Sequence, residues 1–147
     1  MTRISNKDVS QFGQNVPMGT VPNGTRKEWR KMEDNCIFCK IIRGEIPSDV
    51  VYEDEEIIAF HDIHPAAPIH VLVIPKKHIP NLTCLEKEDE RVIGKIYTVI
   101  NQIAAREKIA QRGFRVIVNC GEDGGQEVGH LHFHILGGKK LGEKIVH

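Results

Sequence analysis

Three histidines at alternate positions, His130, His132 and His134, lie in the run His130-Leu131-His132-Phe133-His134 near the end of a chain of 147 residues. Alternate side chains of an extended strand project to one face. The three imidazoles therefore share a face, and Leu131, Phe133 and Ile135 take the other. At about 3.3 Å per residue the row reaches roughly 13 Å, long enough to follow an extended phosphate ester and too long for one metal ion to hold both ends. Neutral imidazole is nucleophilic near neutral pH and forms a phosphoramidate with phosphorus, while imidazolium stabilises phosphate oxygens. A row of three can divide these tasks. A single histidine here would read as the polar face of a half-exposed strand; three in five residues do not.

Before the row stands Gly121-Glu122-Asp123-Gly124-Gly125-Gln126, a turn whose glycines let backbone N–H groups approach an anion closely. Asn119 and Gln126 add neutral donors. Taken alone the turn is weak evidence, because tight hairpins use glycine too. Cys36-Ile37-Phe38-Cys39 supplies half of a tetrahedral metal set, and its other ligands would have to come from distant segments. A metal site is thus the main rival to a purely nucleophilic row.

Composition narrows the classes. Lys+Arg and Asp+Glu are both 20, a balance that gives no basic footprint for nucleic acid. The longest apolar runs are a few residues, far short of a membrane span, and residues 1–29 contain no apolar targeting stretch. Cys36, Cys39, Cys84 and Cys120 therefore point to a reducing cytoplasm, where a C-x-x-C pair is a metal or redox candidate rather than a disulfide.

The elements that must position these residues begin after residue 33. Residues 1–33, rich in Asn, Gly, Pro, Ser and Thr without periodicity, read as a disordered extension. Residues 34–147 read as one domain. Asp34 or Asn35 is expected to cap a short helix over Cys36–Ile42 that stops at Gly44 and Pro47. Val50–Glu53, Ile57–Phe60 and His70–Ile74 read as strands. Glu88–Lys108 carries Val92, Ile96, Val99, Ile100 and Ile103 at helical spacing, and Phe114–Asn119 and Gly129–Leu136 are two further strands. That order predicts an α+β domain with a five-stranded, mainly antiparallel sheet, one long helix and one short helix.

From Cys36 to about Gly138 the sequence resembles the histidine-triad (HIT) family. The triad run continues as Ile135-Leu136, and Cys36-Ile37-Phe38-Cys39-Lys40-Ile41-Ile42, Ala59-Phe60-His61-Asp62-Ile63 and Val73-Ile74-Pro75-Lys76-Lys77-His78-Ile79 follow in family order. The ending Ile135-Leu136-Gly137-Gly138 is similar to the Hint branch of nucleoside phosphoramidases; the dinucleoside polyphosphate hydrolase branch tends to carry Pro-Arg there.

The resemblance implies a HIT-like fold and a hydrolase for purine nucleoside 5′-phosphoramidates or aminoacyl adenylates. His132 would attack the α-phosphorus, and water would release a nucleoside monophosphate from the covalent nucleotidyl-histidine. His70 would orient or protonate near the triad. His134 and Asn119 would bind the phosphate, with Gly125, Gln126 and Glu127 close by. Phe60, His61, Asp62 and Ile63 would form the nucleoside pocket, Asp62 accepting from the ribose hydroxyls. A structural zinc would sit on Cys36, Cys39, His78 and His130, outside the chemical step, and the protein would be a homodimer. The alternatives are a dinucleoside polyphosphate hydrolase and a nucleotide-binding, zinc-stabilised scaffold with little turnover. Two departures bear on specificity. Glu127 stands where Hint-like proteins usually carry a small hydroxyl residue, and a carboxylate beside a phosphate is repulsive, so it must point away or recognise a leaving-group amine. The tail from Lys139 to His147 lacks the Trp-containing ending of some relatives.

Overall fold

A computed structural model describes residues 33–143. The extension expected over residues 1–33 therefore lies, Glu33 apart, outside the described residues, as does the tail from residue 144. The elements are α1 (Ile37–Ile42), β1 (Val50–Glu53), β2 (Ile57–His61), β3 (Ile69–Pro75), α2 (Glu90–Arg106), β4 (Arg115–Val118) and β5 (Phe133–Gly137), with 3-10 turns at Leu82–Cys84 and Lys87–Asp89. The strands form one antiparallel sheet in the order β1-β2-β3-β5-β4. This is the α+β architecture expected from the sequence.

Local chemistry explains the joints. The Asp54 carboxylate accepts the N–H groups of Glu56 (2.7 Å) and Ile57 (2.9 Å), an Asx turn that reverses β1 into β2. The long helix starts two residues later than its periodicity suggested, because Lys87–Asp89 forms a tighter turn in which Asp89 accepts the Glu86 N–H at 2.9 Å. At α1 the expected cap is corrected. Residues 33–35 are themselves helical, and Cys36 takes the N-cap position with its sulfur accepting the Cys39 N–H at 3.3 Å. A thiol there does what a serine hydroxyl would.

The sheet is covered on both sides. Ile57, Ala59, Val71, Val73, Phe133 and Ile135 face α2, whose Val92, Ile96, Val99, Ile100 and Ile103 complete the larger core. Ile58, Phe60, Leu72 and Ile74 face α1 and pack on Cys36, Phe38 and Cys39. Burial on both faces is why β2 and β3 read as nearly continuous apolar runs rather than alternating ones. Each fully buried aliphatic side chain contributes about 1.5–3 kcal/mol, so the α2 stripe is the main fastening of the larger layer. Among the described residues no helix is long and apolar enough to cross a membrane.

The last strand is shorter than the histidine row. Ladder pairing begins at Phe133, opposite Val73 on β3 and Val118 on β4. His130-Leu131-His132 precede the ladder, held instead by Leu131 N–H donating to the Ile79 carbonyl (2.7 Å) and His130 N–H to that of Val128 (2.8 Å). The facial alternation nonetheless continues through the row: Leu131, Phe133 and Ile135 enter the α2 core, while His130 and His132 lie against Phe38 of α1.

Candidate active site

On the α1 face the imidazoles are fixed by bonds that also decide their tautomers. The His132 Nδ1 lies 2.7 Å from the His130 carbonyl. A carbonyl only accepts, so Nδ1 carries the proton and Nε2 keeps the lone pair. His132 is only 6 % exposed, and burial holds its pKa below the ordinary histidine value. The ring is therefore neutral near pH 7, the state a nitrogen nucleophile requires.

His70 and His134 form a second unit. The Ala66 N–H donates to His70 Nδ1 at 3.0 Å, which leaves the His70 proton on Nε2, directed to His134 Nδ1 at 2.9 Å. His134 is thereby left with its proton on Nε2, a donor suited to a phosphate oxygen. Burial, then the neighbouring His132 and His70, push the His134 pKa down to about 4; burial also lowers that of His70. The Asp62 carboxylate lies 3.5 Å from His70 Nε2. Asp62, His70 and His134 are close enough to suggest a metal trio, but the Ala66 contact places a proton where a metal would need a lone pair.

The remaining expected residues fall at various places. Phe60 is buried edge-to-face on Phe38, with ring centroids 5.6 Å apart. Ile63 is 83 % exposed. One Asp62 oxygen is occupied by the His64 N–H at 2.8 Å. His61 follows Phe60 in β2, so alternation turns it to the α2 face, where its Nε2 lies 3.9 Å from both Asp49 and Glu107. Asn119 follows Val118, the residue paired with Phe133, and so continues toward the level of His132.

The glycine turn is closed on itself. The Gly121 N–H donates to Gln126 Oε1 (2.9 Å), the Gly125 N–H to the Glu122 carbonyl (3.0 Å), and the Gln126 N–H to that of Gly121 (3.0 Å). Gln126 is buried, and its amide spends both donors on the Pro80 and Val128 carbonyls, each at 2.8 Å. In this structure these groups bind the loop rather than point to a ligand. Glu127 is exposed, and its charge reaches His132, opposing the effect of burial.

Next to the triad lies the second constellation. Cys36 and Cys39 from α1, His78 from the loop after β3, and His130 present donor atoms within 4.8 Å of one another. Individual separations are 3.4 Å (Cys36 Sγ to His130 Nδ1), 3.6 Å (Cys39 Sγ to His130 Nδ1), 3.2 Å (Cys39 Sγ to His78 Nδ1) and 3.2 Å (His78 Nδ1 to His130 Nδ1). Zn–N and Zn–S bonds of about 2.0–2.3 Å give a tetrahedron with edges of roughly 3.3–3.8 Å, so the four atoms fit a metal ion of that size. His130 Nε2–H donates to the Pro75 carbonyl at 2.8 Å, which turns the Nδ1 lone pair into the cluster. The hydrogen bond from Cys39, then those from His130 and His78, draw the Cys36 thiol far below its usual range against the effect of burial. That same bond and burial push Cys39 up, as expected where a second thiolate needs a cation to form. Two sulfurs and two imidazole nitrogens are a zinc-type set, and with four protein donors such a site is structural rather than catalytic.

Two residues to which the sequence attaches no role hold the site together. Phe38 contacts the rings of His132 (5.2 Å) and His130 (5.9 Å); its place between the two cysteines was the available signal. Ala66 acts through its backbone N–H, which no residue type announces.

Known proteins agree with this architecture. A family model of the HIT domain matches residues 43–141. The chain is 48% identical over 116 residues to the purine nucleoside phosphoramidase of Escherichia coli K12, covering 79% of this chain and 98% of that protein. A HIT family hydrolase from Clostridium thermocellum superposes with a TM-score of 0.75 at 49% identity, over 77% of this chain and 98% of that one. A histidine triad protein from Clostridium difficile does so with 0.73 at 55% identity, over 75% and 96%. With the motif, the sheet order and these relatives in agreement, the chain belongs to the HIT family and is an enzyme of its hydrolase type.

Proposed function

We propose that this enzyme hydrolyses purine nucleoside 5′-phosphoramidates, or the related aminoacyl adenylates, through a nucleotidyl-His132 intermediate. The observation that carries this reading is the 2.7 Å bond from His132 Nδ1–H to the His130 carbonyl, which leaves Nε2 as an unprotonated nucleophile in a buried site. The identity to the Escherichia coli purine nucleoside phosphoramidase supports the substrate class.

His132 Nε2 forms a bond to the α-phosphorus as the phosphorus–nitrogen bond to the leaving amine breaks, the amine taking a proton from solvent water as it departs. His134 Nε2–H donates to a phosphoryl oxygen, and Asn119 adds a neutral donor. His70, its own proton spent on His134, acts by holding that ring. Water then cleaves the phosphorus–His132 bond. Phe60, Asp62 and Ile63 receive the nucleoside, and the exposed Glu127 meets the departing amine. Gly125 and Gln126, within the closed glycine turn, shape the phosphate side of the site. Zinc on Cys36, Cys39, His78 and His130 would fasten the scaffold and takes no part in bond making, and its thiolates suit a reducing cytoplasm. The protein acts as a homodimer, a reading supported by the apolar edge strand β4 and by Tyr97, 52 % exposed on α2.

The test is rapid alkaline quench with a purine nucleoside phosphoramidate, followed by mass spectrometry of the His132 peptide under non-acidic conditions. A nucleotidyl adduct in the wild type and none in His132→Asn is the expected result. Tight nucleotide binding without turnover would favour the scaffold reading, and faster turnover of a dinucleoside polyphosphate would move the protein to that class.

A further inference from the structure

We propose that the Cys36–Cys39–His78–His130 metal centre positions the nucleophile, with His130 as the residue that transmits its state to His132. The inference rests on the reading of His132 as the nucleophile. His130 has no exposed surface and serves two sites at once. Its Nδ1 faces the other three donors of the metal centre, and its carbonyl takes the His132 Nδ1–H at 2.7 Å. The ligand atom and the group that sets the nucleophile's tautomer therefore belong to one residue.

The peptide group that carries this carbonyl is held by the segments that bring the metal ligands. Residues 130–132 lie outside the sheet ladder, and the Leu131 N–H is fastened to the carbonyl of Ile79, the neighbour of His78. Phe38, between the two cysteines and 6 % exposed, packs edge-to-face on both His130 and His132. Each segment that brings a ligand thus also touches the His130–His132 pair. With an ion in place the His130 ring is pinned between the cluster and the Pro75 carbonyl. Without one, the Cys36 and Cys39 thiols, 3.4 and 3.6 Å away, are left to donate to Nδ1, a weaker hold that lets the ring and its carbonyl shift, and His132 becomes free to carry its proton on Nε2. That tautomer has no lone pair on the attacking nitrogen.

The tautomer is read directly by long-range 1H–15N spectra of ring-labelled protein at pH 7.5, before and after metal removal by a chelator, with His132 assigned from His132→Asn. The expected result is a single Nδ1–H form of His132 in the metal-loaded protein and a mixture of both tautomers after stripping. The His70–His134 pair, set by Ala66, should keep its pattern. Cys36→Ser, which keeps an N-cap oxygen for α1 while removing one thiolate, should give the same mixture together with reduced metal content. A single unchanged Nδ1–H form in stripped, folded protein would overturn the proposal, as would protein that purifies without metal. Unfolding of both stripped wild type and Cys36→Ser would also overturn it, making the centre a folding anchor only. None of these readouts depends on turnover, so failure of the substrate assignment remains distinguishable.

Discussion

At the scale of single residues, backbone groups decide the chemistry of the histidines. The His130 carbonyl fixes the proton of His132 and the Ala66 N–H fixes that of His70, so each ring arrives at the site in one tautomer. His132→Asn keeps a hydrogen-bonding side chain of similar reach but no nucleophilic nitrogen. Turnover should fall by at least about a thousand-fold while the fold, read by circular dichroism, stays intact. The pH dependence follows from the same burial. His132, His134 and His70 all have folded pKa values below the ordinary 6.5, and His134 is near 4. His132, the proposed nucleophile, therefore remains neutral past pH 6.5, and kcat/KM should decline only on the acid side of that value. For stability, the unfolded chain takes up protons that the native site refuses, so these groups cost nothing above pH 6.5. Stability is then lost as the pH falls from 6.5 toward about 4. Urea midpoints measured across that window check the sign; a midpoint that rises on acidification contradicts it. The three-histidine spacing was legible in the sequence because residue types carry it. The tautomers were not, because the groups that set them have no side-chain signature.

At the scale of elements, hydrophobic period located all five strands and both helices to within a few residues. Where sequence and structure differ, the causes are particular. His61 and Phe60 adjoin in the sequence, whereas two-residue alternation within β2 sends them to opposite faces. The alternation of the triad predicts one strand, yet β4 stops at Val118 and gives residues 130–132 no ladder partner. The turn over residues 121–126 looked like an anion cradle because glycine frees the backbone, but its geometry answers a tighter demand. A Cβ on Gly124 would stand 2.4 Å from the Cys120 carbonyl oxygen, a contact with backbone that no rotamer relieves. Gly124→Ala should destabilise the protein by about 2 kcal/mol. Gln126→Ala should cost roughly 3 kcal/mol, since it strands the Gly121 N–H and the Pro80 and Val128 carbonyls in a buried place. Denaturant titration measures both. Equal stability of Gln126→Ala and wild type would mean that water replaces the amide and that the loop is not braced by it.

At the scale of the whole molecule, the two faces of the sheet are secured by different means. The α2 face has a long apolar stripe and needs no help. The α1 face has six helical residues and a small core, too little to fix a short helix firmly by burial alone. The Cys36–Cys39–His78–His130 cluster joins α1 to the loop after β3 and to the approach to β5, tying together the segments that flank His132. The C-x-x-C pair was visible in the sequence, but its convergence with His78 and His130 depends on the sheet bringing three distant segments together. A metal that binds only the folded form adds about 2.7 kcal/mol when it is present at a hundred times its dissociation constant. Chelation should therefore lower the melting temperature by several degrees, and Cys39→Ser should melt at the chelated value with or without added zinc. The α2 stripe should meanwhile hold the larger core together, so that stripped protein keeps most of its helical signal while the near-ultraviolet signal of Phe38 and Phe60 weakens. Simultaneous loss of both signals at one temperature would show that the two layers unfold as a single unit and that the metal supports the entire fold.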